Sequence, residues 1–160
     1  MAEYAIRRMG MDDMDSVCRH REAMFIEAER PRDAVEAMRM PFREWLRPKL
    51  QDGSYLGWAV EHEGAVVGGA GLIVIDWPPH PLHPSEAQRG YLLNVWVDPP
   101  YRGKGLAKRL VRATYEGARE LGITYLVLHA SKLGRPVYAG LGWRQTDEMS
   151  LLLGDDVGLP

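Results

Sequence analysis

The chain has 160 residues, a formal net charge of −2, 46% hydrophobic and 26% charged residues, and a single cysteine. That length supports one domain with a proper core. The near-neutral balance argues against a dedicated nucleic-acid binder, and one cysteine excludes an internal disulfide and a cysteine-built zinc site.

A reduced, cytoplasmic setting is the simpler reading of such cysteine usage. Residues 1–8 lack the apolar core of a secretory leader. No apolar run approaches the roughly 18 residues that span a bilayer, so no membrane partner is expected. No internal repeat is visible, and residues 1–160 read as one domain.

Glu3 to Met9 reads as a first strand. Asp12 or Asp13 can cap a helix, and Met14, Val17, Cys18, Met24, Phe25 and Ala28 give it an apolar stripe to about Glu29. Cys18 falls on that stripe and reads as core packing. Pro31 ends the helix. Asp33 can cap a second one with Val35, Met38, Trp45, Leu46 and Leu50 inward, and Pro41 predicts a kink or a division into two pieces. Residues 54–62 and 65–75 read as a hairpin around Glu63 and Gly64. Gly68, Gly69 and Gly71 suggest a bulge or a close backbone approach. A proline-rich loop follows from Trp77 to Gln88, then a strand from Tyr91 to Val97.

The next helix is the best defined. From Ala107, apolar or small residues recur after 3, 4, 7, 11 and 14 positions, and Gly122 supplies a C-cap. Thr124 to Ala130 reads as a buried strand, Gly134 to Gly140 as a short helix, and Trp143 to Leu152 as a last strand. The order β-α-α-β-β-β-α-β-α-β predicts an α/β fold with a mixed sheet.

The most informative stretch lies between Val95 and Leu110. An apolar strand stops at Asp98-Pro99-Pro100, a basic turn Arg102-Gly103-Lys104-Gly105 follows, and the helix starts at once. A glycine-bearing turn at a helix N-terminus offers free N–H groups and the positive end of the helix dipole to an anion. A dinucleotide fingerprint fails here: Lys108 stands where its third glycine belongs, and Ile123 to Leu128 holds no acidic residue. A P-loop fails as well, because Gly105 follows Gly103-Lys104 and neither Ser nor Thr appears before Thr114.

Arg102-x-x-Gly105-x-Ala107 resembles the pyrophosphate-binding signature of the GCN5-related N-acetyltransferases, Q/R-x-x-G-x-G/A, and Tyr138 to Trp143 resembles that family's late Y-x-x-x-G-F/W motif. The resemblance covers residues 3 to about 152, with its specific motifs at roughly 91–143. It implies a mostly antiparallel central sheet with a splayed strand pair, flanked by helices. It also implies an acyl-CoA-dependent N-acyltransferase that passes acetyl from acetyl-CoA directly to a primary amine on a small molecule or peptide. A non-catalytic coenzyme-A-binding sensor of the same fold is the alternative. Homodimers are common in such proteins, and no metal is implied.

On this resemblance, residues Arg102, Gly103, Lys104, Gly105, Leu106 and Ala107 cradle the pyrophosphate. Lys104, Lys108 and Arg109 add positive charge or form a solvated basic face. Val95 and Val97 offer backbone to the pantetheine arm, and the Val95 amide polarises the thioester carbonyl. Tyr138 corresponds to the tyrosine that protonates the leaving thiolate. Ser131 stands where an asparagine often contacts the cofactor, and Arg135 can reach a phosphate or cap a helix.

The strand from Tyr91 to Val97 carries no acid where several members place a glutamate base. Asn94 can orient a water but cannot accept a proton usefully, His129 reads as structural, and Glu86 sits in the loop. A water chain is therefore expected to remove the amine proton. Glu27, Glu29 and Asp33 are the expected partners of a cationic amine, with Trp45 or Trp77 as an apolar wall. His80 and His83 lie among prolines without further ligands, which makes a metal pair improbable.

Overall fold

The computed structural model describes residues 3–152. Five strands form one sheet in chain order: β1 (Ala5–Arg8), β2 (Tyr55–His62), β3 (Ala65–Asp76), β4 (Gln88–Val97) and β5 (Leu126–Leu128). The first four run antiparallel and β5 runs parallel to β4. Glu63 and Gly64 take φ of 51° and 79°, the left-handed pair that a tight hairpin between β2 and β3 requires.

Alternation in β2 sends Leu56, Trp58 and Val60 to one face and Tyr55 to the other. Helix α3 (Leu106–Glu120) covers the first face through Leu106, Leu110, Val111 and Ala118. Gly117 is required there, since a Cβ would overlap the Trp58 ring. Helices α1 (Met14–Glu27) and α2 (Arg32–Asp52) cover the second face with Val17, Cys18, Phe42, Leu46 and Leu50. Asp13 precedes α1 and accepts two 2.9 Å hydrogen bonds from Arg7 and one from the Gly10 amide. No helix among the described residues is long and apolar enough to cross a membrane.

Three expectations need correction. Helix α2 is a single element despite Pro41 and Pro48. Both prolines are exposed, while Phe42, Leu46 and Leu50 are buried. Burial of roughly 1.5–3 kcal/mol per apolar side chain offsets the cost of about 3 kcal/mol for an interior proline. The predicted strand at Thr124 to Ala130 shrinks to the three half-buried residues of β5. Trp143 to Leu152 forms no strand. Its polar run from Arg144 to Glu148 has no face to bury, Met149, Leu151 and Leu152 stay exposed, and three residues of β5 give it little to pair with. A short helix α4 (Arg135–Gly140) is the last regular element among the described residues.

Candidate active site

A cleft of about 620 Å3 opens between the turn before α3, the C-terminal half of β4, α4 and the end of α1. Its phosphate-like end starts at Asp98, whose amide donates to Val67 O at 2.8 Å as β4 leaves the sheet. A 3-10 turn at Pro99–Tyr101 reverses the chain. Gly103 and Gly105 each take φ of 75°. A Cβ at either would meet nothing within 4 Å, so conformation rather than space demands glycine there. Among the described residues, none of the amides from Gly103 to Lys108 has a backbone acceptor. These are the free donors of a helix start, turned toward the cleft.

Side chains around the turn part company. Gly103, Gly105, Leu106, Ala107 and Lys108 line the cleft, whereas Lys104 does not. Arg109 reaches the other way and donates to Tyr4 O at 2.9 Å. Arg102 lines the cleft but is held on all sides: Nε donates to Val97 O at 2.8 Å, Nη1 pairs with Glu27 at 2.6 Å, and the guanidinium lies 4.7 Å above the Trp96 ring.

The β4 edge is opened by a bulge. Gly69 pairs with Trp96 and Gly71 with Leu93, so Asn94 and Val95 together face Ala70. Asn94 takes φ of 55°. The expected bulge and close approach on β3 are both present, since Val67 beside Gly68 is an extra residue against β2 and a Cβ at Gly68 or Gly71 would overlap Trp96 O or the Tyr55 hydroxyl, and β4 adds a second bulge of its own. Pairing with β5 stops at Leu92 opposite Leu128. Beyond it the strands splay, and Val95, Trp96 and Val97 line one wall of the cleft while His129, Ala130 and Ser131 line the other. The Val97 carbonyl is already taken by Arg102, which leaves Val95 as the clearer backbone contact.

Tyr138 on α4 faces the same space. Burial pushes its phenol up to about 12, with Tyr115 adding to the effect. Among the described residues its hydroxyl has no hydrogen-bond partner, and Trp143 meets its ring edge-on at 5.9 Å. The late motif also closes α4, for the Trp143 amide donates to Tyr138 O at 3.0 Å. Ser131 lines the cleft, but its Oγ accepts the Gly134 amide at 3.0 Å and so serves the turn into α4. Arg135 is exposed and outside the cleft lining.

The opposite end departs most from the sequence reading. Glu27 is paired with Arg102, and Glu29 sits exposed at φ 57°. Asp33 borders a separate hollow with Ile26 and Arg39. The three acids thus do not form an amine site. Trp45 packs on Phe42 and Tyr55 in the core, and Trp77 lies under Arg89 at 4.1 Å. Glu86 accepts from Thr124 Oγ1 at 2.7 Å and pins the proline-rich loop. Asn94 is buried, with Oδ1 accepting from Arg21 at 2.9 Å and Nδ2 donating to the Tyr55 hydroxyl at 3.0 Å.

Two groups there carried no signal in the sequence. The Tyr91 hydroxyl hydrogen-bonds to His129 Nδ1, and His129 Nε2 lies 3.6 Å from Glu148. Burial, with the Glu148 charge behind it, raises the Tyr91 pKa and keeps a neutral phenol there. Arg21 is the second group. Only tertiary packing brings these residues from α1, β4, β5 and the last segment together.

Comparison with known proteins agrees with this geometry. Residues 14–143 match the model of the acetyltransferase (GNAT) family. The Escherichia coli K12 protein YjgM, an uncharacterised N-acetyltransferase, is 30% identical over 89% of this chain and 83% of its own length. A GCN5-related N-acetyltransferase from Ralstonia eutropha JMP134 is 48% identical, with a TM-score of 0.92 over 94% of this chain and 99% of that one. A predicted acetyltransferase from Clostridium acetobutylicum, solved with acetyl-CoA, is 27% identical with a TM-score of 0.82 over 94% of this chain and 96% of that one.

Proposed function

The chain belongs to the acetyltransferase (GNAT) family and is an N-acetyltransferase; on that premise we propose that it passes acetyl from acetyl-CoA to a primary amine in a ternary complex, with no covalent enzyme intermediate. One observation carries the reading. Gly103 and residues 105–108, whose amides lack backbone acceptors, the β4 edge at Val95 beyond its pairing with β5, and Tyr138 all line a single cleft. Its volume of about 620 Å3 suits a ligand of cofactor size, for which roughly 300–1,000 Å3 is usual.

Acetyl-CoA supplies the acyl group already activated as a thioester. The amides from Gly103 to Lys108 hold the pyrophosphate at the start of α3. The Val95 amide donates to the thioester oxygen and stabilises the charge that develops on it during attack. Tyr138 donates its proton to the leaving sulfur. The same dry setting that pushes the phenol up makes an unsolvated thiolate a stronger base, which keeps the transfer feasible. On the acceptor side, His129 lines the cleft and offers an imidazole nitrogen as a proton acceptor. It takes the amine proton through the Tyr91 hydroxyl, and its exposed Nε2 side returns the proton to solvent beside Glu148.

A calorimetric titration with acetyl-CoA, with NAD and ATP as controls, tests the cofactor, and thiol release across an amine panel tests the transfer. Selective acetyl-CoA binding with amine turnover supports the proposal. Binding without any turnover would turn the protein into a coenzyme A sensor, and no binding would remove the reading altogether.

A further inference from the structure

Arg21 is a cation that lacks an anion. Three other arginines of α1 and α2 hold a carboxylate, Arg19 with Asp98, Arg39 with Glu22 and Glu36, and Arg43 with Asp15, while Arg32 and Arg47 are exposed to solvent. Among the described residues no carboxylate pairs with Arg21. Its guanidinium lies between the rings of Phe25 and Phe42, 4.9 and 4.6 Å from their centres. Its Nε–H is buried and makes no hydrogen bond. Burial accordingly lowers its pKa. An unpaired polar group in such a place is costly, and more so when charged. The two aromatic faces favour the positive charge, but they accept none of its N–H hydrogen bonds.

The orientation of the guanidinium is fixed. Nη1 donates to Asn94 Oδ1, and Asn94 is held in turn by the fully buried Tyr55 hydroxyl. That leaves the Nε–Nη2 edge, a planar fork of two parallel donors that matches a carboxylate. Arg21 itself lies behind the cleft wall: Phe25, on whose ring the guanidinium packs, and Val95, which follows its partner Asn94, both line the cleft.

We propose that Arg21 receives the carboxylate of the acceptor on this edge, so that the acceptor is an amine with a free carboxylate beside it, the α-amino acid class. Amine and carboxylate on one carbon are then presented together, the carboxylate at Arg21 and the amine toward the Val95 wall and Tyr91. The proposal rests on the N-acetyltransferase reading and narrows it. A protein N-terminus is disfavoured, because its nearest carbonyl is an amide that cannot neutralise the guanidinium.

The test compares matched triplets on the wild-type enzyme: free α-amino acids, their carboxamides, and the decarboxylated amines, read as kcat/KM by thiol release. At least one amino acid is expected to exceed its amide and its amine by about a hundredfold, the range seen when a site built for a polar partner meets an analogue without it. Arg21→Gln should erase that preference, mainly through KM, and leave the acetyl-CoA Kd within about twofold. Arg21→Lys keeps the charge and stem but loses the fork, and should recover only part of the preference. If acids are no better than amides in the wild type, whether both turn over or neither does, the proposal is wrong. It is also wrong if Arg21→Gln lowers acids and amides equally. Loss of acetyl-CoA binding by the wild type would instead strike the parent reading.

Discussion

The proposed phosphate end of the cleft comes from one unbroken stretch, residues 97–108, whereas the proposed acceptor end takes Arg21 from α1, Phe42 from α2, Tyr91 and Asn94 from β4, and His129 from beyond β5. The first end works through backbone amides at a helix start and two glycines with positive φ. Its function is nearly independent of side chains, except where a residue intrudes. The second end works through side chains placed by several separate elements. Such an arrangement lets acceptor choice change by single substitutions while cofactor binding stays constant.

The sharpest way to break this comparison is at Gly105. Gly105→Asp puts a carboxylate at the helix N-terminus, where the pyrophosphate charge belongs. Aspartate tolerates positive φ and favours helix starts, so the fold survives. We expect the acetyl-CoA Kd to rise about a thousandfold, because like charges at close range in a partly desolvated site repel strongly. A Kd equal to the parent's, measured by calorimetry on folded protein, would mean that the cradle lies elsewhere.

Tyr138→Phe probes the wall shared by both ends. The kcat should fall by a few hundredfold, within the usual span for a lost general acid of roughly 10²–10⁴, with acetyl-CoA affinity nearly unchanged. An unaltered kcat at saturating substrates rejects proton donation by the phenol.

The scaffold behind the acceptor end carries its own pH dependence. His20 on α1 is 1% exposed, and its Nε2 faces the Arg19 Nη2 at 3.1 Å. Burial, with the Arg19 charge adding to it, pushes its pKa down from 6.5 to about 4. The unfolded chain then takes up a proton below its ordinary value that the folded chain refuses. Stability is present in full above the unfolded pKa and is lost as pH falls toward the folded one. The loss is about 3 kcal/mol, a little over a hundredfold in the folding constant. Urea midpoints measured between pH 7 and pH 4 should show it, and His20→Gln should flatten that slope. Asp13, whose pKa the Arg7 hydrogen bonds lower, adds a further loss at more acid pH. Equal slopes in wild type and variant would place the titration in other groups.

How far the sequence revealed each end follows from the same contrast. Gly103, Gly105 and the periodic stripe of α3 are local signals, and the turn could be read without knowing what surrounds it. The hairpin at Glu63 and Gly64 was legible for the same reason. Helix α2 was misjudged at Pro41 because the compensating burial of Phe42 and Leu46 comes from α1 and β2. Glu27 read as a free acid because nothing near it in the chain announces Arg102 as its partner. Arg21 passed unnoticed among its charged neighbours, since only the fold shows that it alone of Arg19, Arg21, Arg39 and Arg43 lacks a carboxylate.

The smallest predicted effect sharpens the comparison most, because it asks whether the acceptor end does chemistry or only binds. His129→Gln keeps an acceptor for the Tyr91 hydroxyl but cannot hold the amine proton. We expect about a tenfold fall in kcat/KM, as for a general base removed from a site where the amine can partly deprotonate on its own. Glu148→Gln should cost less than about threefold, since an exposed ion pair is worth little, and at 3.6 Å both partners here are more than half exposed. A His129→Gln enzyme with kcat/KM unchanged would return proton removal to water. The acceptor end would then discriminate among amines through Arg21 alone, and all of the chemistry would lie with Val95 and Tyr138.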